Sequence, residues 1–208
     1  MTSTKTLLDR FPATVLGAHV AAGLTARPTT RSDGERLARI ELELEARAFL
    51  SKYAYFFDAK DLEGLMTLYA DDCELVNTAG TYTGARSIRD MQAADMPKTE
   101  ISFHHFSNVV VAIDSLENRE VYVTAYMYNV AIREEEPYGT IGTVVFCLRG
   151  VSDGGLKATA IRIAIDSRHS FNPKFVPSAD PGPYASSSIN AYDLVGRKPR
   201  FPTKKQTA

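Results

Sequence analysis

Residues 101–170, ISFHHFSNVVVAIDSLENREVYVTAYMYNVAIREEEPYGTIGTVVFCLRGVSDGGLKATAIRIAIDSRHS, decide the fold. Val, Ile, Thr and Tyr crowd four runs, Ile101–Asp114, Glu120–Arg133, Gly139–Arg149 and Lys157–Ser170, and each run predicts a long strand. Ser152-Asp153-Gly154-Gly155 predicts a hairpin turn and residues 115–118 predict another. Strands that follow one another through such turns pair as an antiparallel meander.

Upstream the periodicity changes from two to three or four. Ser32-Asp33-Gly34-Glu35 has the S-x-x-E spacing of a capping box and predicts a helix start. From there Leu37, Ile40, Leu44, Ala48, Ser51, Tyr55 and Asp58 recur at helical steps, which predicts one mostly apolar stripe that Asp58 terminates. A second short helix is expected after Asp61, through Tyr69, and a third after Gly84, through Ile88 and Met91. Two short strands, Glu74–Thr78 and Thr81–Thr83, lie between them. Helices segregated before an antiparallel meander define an α+β class, with the helices on one face of a curved sheet.

Composition narrows the partners. The 208 residues carry 24 Lys+Arg against 25 Asp+Glu and are 44% hydrophobic, enough for a real core and without a basic field for nucleic acid. Residues 34–170 hold 14 basic and 21 acidic side chains, whereas residues 171–208 hold 6 and 2. The expected organisation is an N-terminal extension over 1–33, one domain over 34–170 and a Pro-rich basic tail over 171–208. Asp9, Arg10 and Pro12 interrupt the apolar N-terminus, and no run approaches the ~18 apolar residues of a membrane span. Cys73 and Cys147 stand far apart in apolar strands, as free thiols of a reducing compartment do. A cytoplasmic protein without membrane or nucleic-acid partners is expected. Gly139 and Gly142 fall within a strand and open no helix, so they make no phosphate loop.

Two features carry possible chemistry. Asp58, next to Phe56 and Phe57 and at the end of an apolar stripe, is a candidate general acid/base; as part of the Asp58-Ala59-Lys60-Asp61 turn it would simply face solvent. His104 and His105 point to opposite faces of a strand, so one enters the pocket, and alternation alone does not say which. An imidazole beside a carboxylate makes a proton-transfer pair. Tyr53, Tyr55, Asn108, Asn129, Tyr126 and Tyr128 are further candidates for orienting a substrate, with Asn77, Asp166 and His169 weaker ones. Adjacent strand histidines diverge, so no metal site is expected.

The run Tyr53-x4-Asp58-x2-Asp61, then Leu68-Tyr69-Ala70-Asp71-Asp72-Cys73-Glu74-Leu75, then Gly80-Thr81-Tyr82-Thr83-Gly84 with Ile88, then His104-x3-Asn108-Val109, resembles the SnoaL-like group of the nuclear transport factor two superfamily. The resemblance covers roughly residues 35–170 and implies a cone: a curved antiparallel sheet with three helices enclosing a pocket. Scytalone dehydratase and hexachlorocyclohexane dehydrochlorinase of that superfamily pair an aspartate at the end of the first helix with a histidine on the first long strand. Carried over, these match Asp58 and, by its spacing to Asn108, His104. The resemblance therefore implies a lyase or isomerase without metal or organic cofactor, acting on a small, apolar, oxygenated or cyclic metabolite. It also implies a C-terminal segment, 171–188, lying over the pocket or a neighbouring subunit, while an open sheet with a large apolar outer face predicts a homodimer or homotrimer.

The likeness has departures. Asn77 stands where ketosteroid isomerase carries its base, and residues 120–133 lack the strand carboxylate of the polyketide cyclases. His104-x3-Asn108-Val109 with Tyr128-Asn129-x3-Arg133 is also similar to the small subunits of aromatic-ring-hydroxylating dioxygenases, which implies a non-catalytic alternative. A small-molecule binding protein is the third.

Overall fold

The computed structural model describes residues 31–170, apart from 135 and 153. The two extensions expected at the ends lie almost wholly outside the described residues. Helix α1 runs over Asp33–Asp58, capped by Ser32, whose hydroxyl accepts from the Glu35 amide at 3.2 Å. Helix α2 spans Leu62–Met66, α3 spans Ala85–Asp95, and a single 3₁₀ turn covers Met96–Lys98. The strands are β1 Tyr69–Asn77, β2 Gly80–Thr83, β3 Thr99–Ser115, β4 Glu120–Arg133, β5 Glu136–Gly150 and β6 Leu156–Ser170.

They form one six-stranded sheet in the order β2-β1-β6-β5-β4-β3. The four long strands pair antiparallel in sequence order, as the meander requires. The sheet is mixed, however, because β1 joins β6 in parallel. A strand that precedes a helix and returns to the far edge of the meander has no turn to dictate its direction, so local sequence could not reveal this pairing. Bulges interrupt β3 between Ser107 and Val110, where Asn108 takes φ 50°, and the β5–β6 pairing beside Ile141 and Gly142. Such extra residues bend and twist a long sheet, and here they give it its cone-like curvature.

Alternation settles the two faces. On β4, Val121, Val123, Ala125 and Met127 are buried and meet Val144, Phe146 and Leu148 of β5 on the concave side. Against them packs α1 through Leu42, Ala46, Phe49, Leu50 and Tyr53. This corrects the expected stripe: Leu37, Ile40, Leu44 and Tyr55 are 56, 55, 61 and 49% exposed. At about 100° per residue the two sets lie on opposite sides of the helix. Both have helical spacing, and the sheet takes the one that carries the large rings of Phe49 and Tyr53.

Helix α1 ends in a Schellman motif. The Asp61 amide donates to Phe56 O and the Lys60 amide to Phe57 O, with Lys60 at φ 57°. That left-handed conformation costs a non-glycine residue about 1 kcal/mol. Asp61 then caps α2 by accepting from the Gly64 amide at 2.8 Å.

Candidate active site

Strand β3 is the edge of the sheet, and its Ser102–Phe106 segment lies along the last turn of α1. An edge strand leaves backbone donors unpaired, and Asp58 takes one of them: the His104 amide donates to Asp58 Oδ2 at 2.9 Å. The Ser102 hydroxyl donates to Asp58 Oδ1 at 3.0 Å, and His104 Nδ1 lies 2.6 Å from the same oxygen. Three donors converging on one side chain suit an ionised carboxylate, which only accepts. Because a carboxylate can only accept, the imidazole meets it through Nδ1–H, which leaves Nε2 as the ring nitrogen not engaged by Asp58. Both side chains are well covered, at 8% exposed for His104 and 15% for Asp58. Asp58 owes this cover to β3 and not to its own helical stripe, whose other members stand in solvent.

Phe57 packs edge-on against His104 with ring centroids 4.7 Å apart. Tyr53 lies beneath, its ring against Phe146 and Phe106, so aromatic side chains fill the middle of the concave side. Burial pushes the Tyr53 hydroxyl up to about 12, against a smaller opposing effect from Tyr69. The open space beside the dyad is instead a groove of about 480 Å³ between α1 and β3, walled by Leu50, Ala54, Tyr55, Phe103, Phe106 and Val109. Asp58 and His104 belong to its lining, with Arg47, Ser51 and His105. A wider cleft of about 950 Å³, between the β1–β2 hairpin and α3, includes neither dyad residue.

The other candidates disperse. His105 points to the convex face, where it stacks on Tyr128 at 6.4 Å, and Tyr128 stacks on His169 at 6.2 Å. Tyr126, 58% exposed, shares that face, because β4 alternates and Met127 takes the concave side. Tyr126 and Tyr128 are therefore turned away from Asp58, contrary to a role in orienting its substrate, whereas His105, though stacked on Tyr128, is also among the residues that line the groove beside Asp58. Asn108 is exposed at the bulge, its left-handed φ of 50° having broken the alternation before it. Asn77 caps the hairpin by accepting from the Ala79 and Gly80 amides, and Asp166 is exposed. Asn129 stays close: it pairs with His104 across β3–β4, and its Oδ1 is buried without a hydrogen-bond partner among the described residues.

Two participants escaped sequence reading. Ser102 carried a signal, since it precedes His104 by two residues and so shares its face. Lys60, whose ammonium donates to Ser102 Oγ at 2.8 Å, carried none beyond its place in the turn. Among the described residues no three His, Cys, Asp or Glu side chains are grouped to hold a metal ion, and no helix is long and apolar enough to cross a membrane.

A half-open sheet wrapped over a long helix, with an aspartate from the helix end meeting a strand histidine, places the chain among the α+β cone folds of the nuclear transport factor two superfamily. The model of the SnoaL-like domain matches residues 38–159, more than half of the chain, and the chain belongs to that family. Solved structures agree on the fold. A hexachlorocyclohexane dehydrochlorinase, LinA type 2, is 16% identical, with TM-score 0.62 over 71% of this chain and 99% of that one. A candidate scytalone dehydratase from Novosphingobium aromaticivorans is 17% identical, with TM-score 0.60 over 65% and 91%. A candidate aromatic ring hydroxylase from the same organism is 17% identical, with TM-score 0.58 over 64% and 94%. No curated protein matches the chain.

Proposed function

We propose that this protein is a lyase or isomerase of the dehydratase or cyclase type in which His104 is the general base and Asp58 its orienting and charge-stabilising partner. The observation that carries the proposal is the 2.6 Å contact from His104 Nδ1 to an Asp58 carboxylate that already accepts two further hydrogen bonds. In an elimination, Nε2 takes a proton from a carbon next to a carbonyl. The C–H electron pair becomes the new double bond, and the leaving group departs with its own pair. The imidazolium so formed is stabilised by Asp58. No step requires a metal or organic cofactor. The names of two structural neighbours, a dehydrochlorinase and a candidate dehydratase, both describe eliminations and support this class. The apolar groove walls favour a small, largely apolar, oxygenated or cyclic substrate.

The test is turnover on a panel of cyclic β-hydroxy ketones, followed by growth of conjugated-enone absorbance, with wild type beside Asp58→Asn and His104→Gln. Each substitution is expected to lower turnover by about 10²–10⁴ while the protein stays folded. Equal turnover in wild type and both variants would end the dyad reading. One observation favours the non-catalytic alternative, a small subunit in a larger assembly: the concave side is filled by Tyr53, Phe106 and Phe146. Under that alternative no panel member turns over and both substitutions change stability alone.

A further inference from the structure

Behind the dyad stands a second pair, Lys60 and Ser102. Lys60 occupies the one position of the Schellman turn that glycine suits best, with φ 57°, yet carries a long side chain that runs back over the helix end. Its Nζ donates to Ser102 Oγ at 2.8 Å and stands 5.9 Å from the centre of the Phe57 ring, the ring that packs on His104. Ser102 is buried at 4% exposure, and its hydroxyl reaches Asp58 Oδ1 at 3.0 Å. Burial draws the Lys60 ammonium below its ordinary range, with Asp58 opposing that shift.

Donor and acceptor chemistry makes this arrangement directional. An ammonium only donates, so the Ser102 oxygen must accept from Lys60. The single hydroxyl proton of Ser102 is then committed to Asp58, and Oδ1 is held between that proton and His104 Nδ1–H. Without Lys60 the hydroxyl is free to rotate elsewhere, and Asp58 Oδ1 loses one of the two donors that aim it.

We propose that Lys60, acting through Ser102, is a positioning residue that locks Asp58 Oδ1 onto His104 Nδ1–H. This rests on Asp58 and His104 forming the proton-transfer dyad proposed above. It adds a residue that touches neither the imidazole nor the groove, and it gives a reason for a lysine in a glycine-favouring conformation.

The experiment needs no substrate. In the full chain labelled with ¹⁵N-histidine, the Nδ1 proton of His104 should give a low-field resonance, assigned by its disappearance in His104→Gln. Lys60→Gly relieves the left-handed backbone, so its melting temperature should match or exceed that of wild type. Its His104 Nδ1 proton should exchange with solvent at least tenfold faster. Lys60→Arg, which also only donates, should restore slow exchange. Ser102→Ala should match Lys60→Gly, and combining the two should add nothing. Unchanged exchange in Lys60→Gly, with the resonance intact, overturns the positioning role and leaves the dyad standing. A wild-type spectrum without any resonance that His104→Gln removes overturns both.

Discussion

Asp58 and His104 are 46 residues apart in the chain, and their side chains meet at 2.6 Å across the junction of a helix end and an edge strand. The same carboxylate binds the His104 backbone amide, so one side chain both fastens β3 to α1 and orients the imidazole. A substitution at Asp58 therefore has to be read for its effect on the fold as well as for the proposed chemistry.

Removing the carboxylate should destabilise the fold. Asp58→Ala leaves the Ser102 hydroxyl, the His104 amide and the His104 ring without their acceptor in a largely buried place. We expect a loss of about 2–4 kcal/mol by urea unfolding, and roughly half that for Asp58→Asn, which keeps one acceptor oxygen. A loss below about 0.5 kcal/mol for the alanine variant would mean that these contacts do not form in solution.

The two neighbouring histidines should separate cleanly. His105→Ala removes the ring stacked on Tyr128 and trims the groove lining, but leaves the Asp58–His104 contact in place. On any panel substrate that the wild type turns over, it should keep kcat/KM within about threefold, whereas His104→Ala loses about 10² or more. A larger loss from His105 than from His104 would contradict the assignment of faces.

Gly142 should resist enlargement. A Cβ there would lie 2.0 Å from the carbonyl oxygen of Ala164, a backbone atom that cannot swing aside. Gly142→Ala is expected to cost about 1–3 kcal/mol or more, because β5 would have to part from β6 beside the bulge. Chemical denaturation gives the number, and a neutral result would show that the bulge relaxes freely.

The two apolar stripes of α1 should respond differently. Leu50→Ala, in the core, should cost about 2–5 kcal/mol, while Leu44→Gln, on the opposite stripe, should stay within about 0.5 kcal/mol. Reversed values would restore the stripe expected from the sequence.

Stability should fall at alkaline pH. Burial pushes the Cys147 thiol from 9.0 to about 12 and the Tyr53 hydroxyl from 10.0 to about 12, and it raises Cys73 and Tyr69 further above their ordinary ranges. In each case the unfolded chain ionises first and so holds fewer protons than the folded one. The stabilisation is complete below the unfolded pKa and is lost as pH rises toward the folded value. Urea midpoints should convert to a loss of at least about 2 kcal/mol between pH 9 and 11, at roughly 1.4 kcal/mol per pKa unit for each group. Tyr53→Phe and Cys147→Ala should each flatten that slope, and a flat wild-type profile would sink the account.

Much of this fold was legible in the chain. Period-two runs rich in Val, Ile and Tyr, parted by turn residues, marked four strands whose order in the sheet follows their order in sequence. The capping serine, Ser32, marked the helix start to within a residue. Asp58 and one of two histidines stood out as residue types capable of proton transfer. The mistaken stripe on α1 shows the limit of periodicity: a helix with apolar residues on two opposite sides satisfies the pattern twice, and only the surface packed against it selects one.

By itself the sequence determined most of what depends on neighbours a few residues apart, namely the long strands, their turns, the caps and the opposite orientation of His104 and His105, although the second helix ends at Met66 and Tyr69 already belongs to β1. Tertiary structure alone decided which of those histidines meets Asp58, that β1 runs parallel to β6, and that Ser102 and Lys60 complete the hydrogen-bonded group. The physical reason is range. Local preferences arise from sterics and hydrogen bonds within one or two turns of chain, whereas a contact across 46 residues exists only after the whole sheet has curved and laid its edge along the helix.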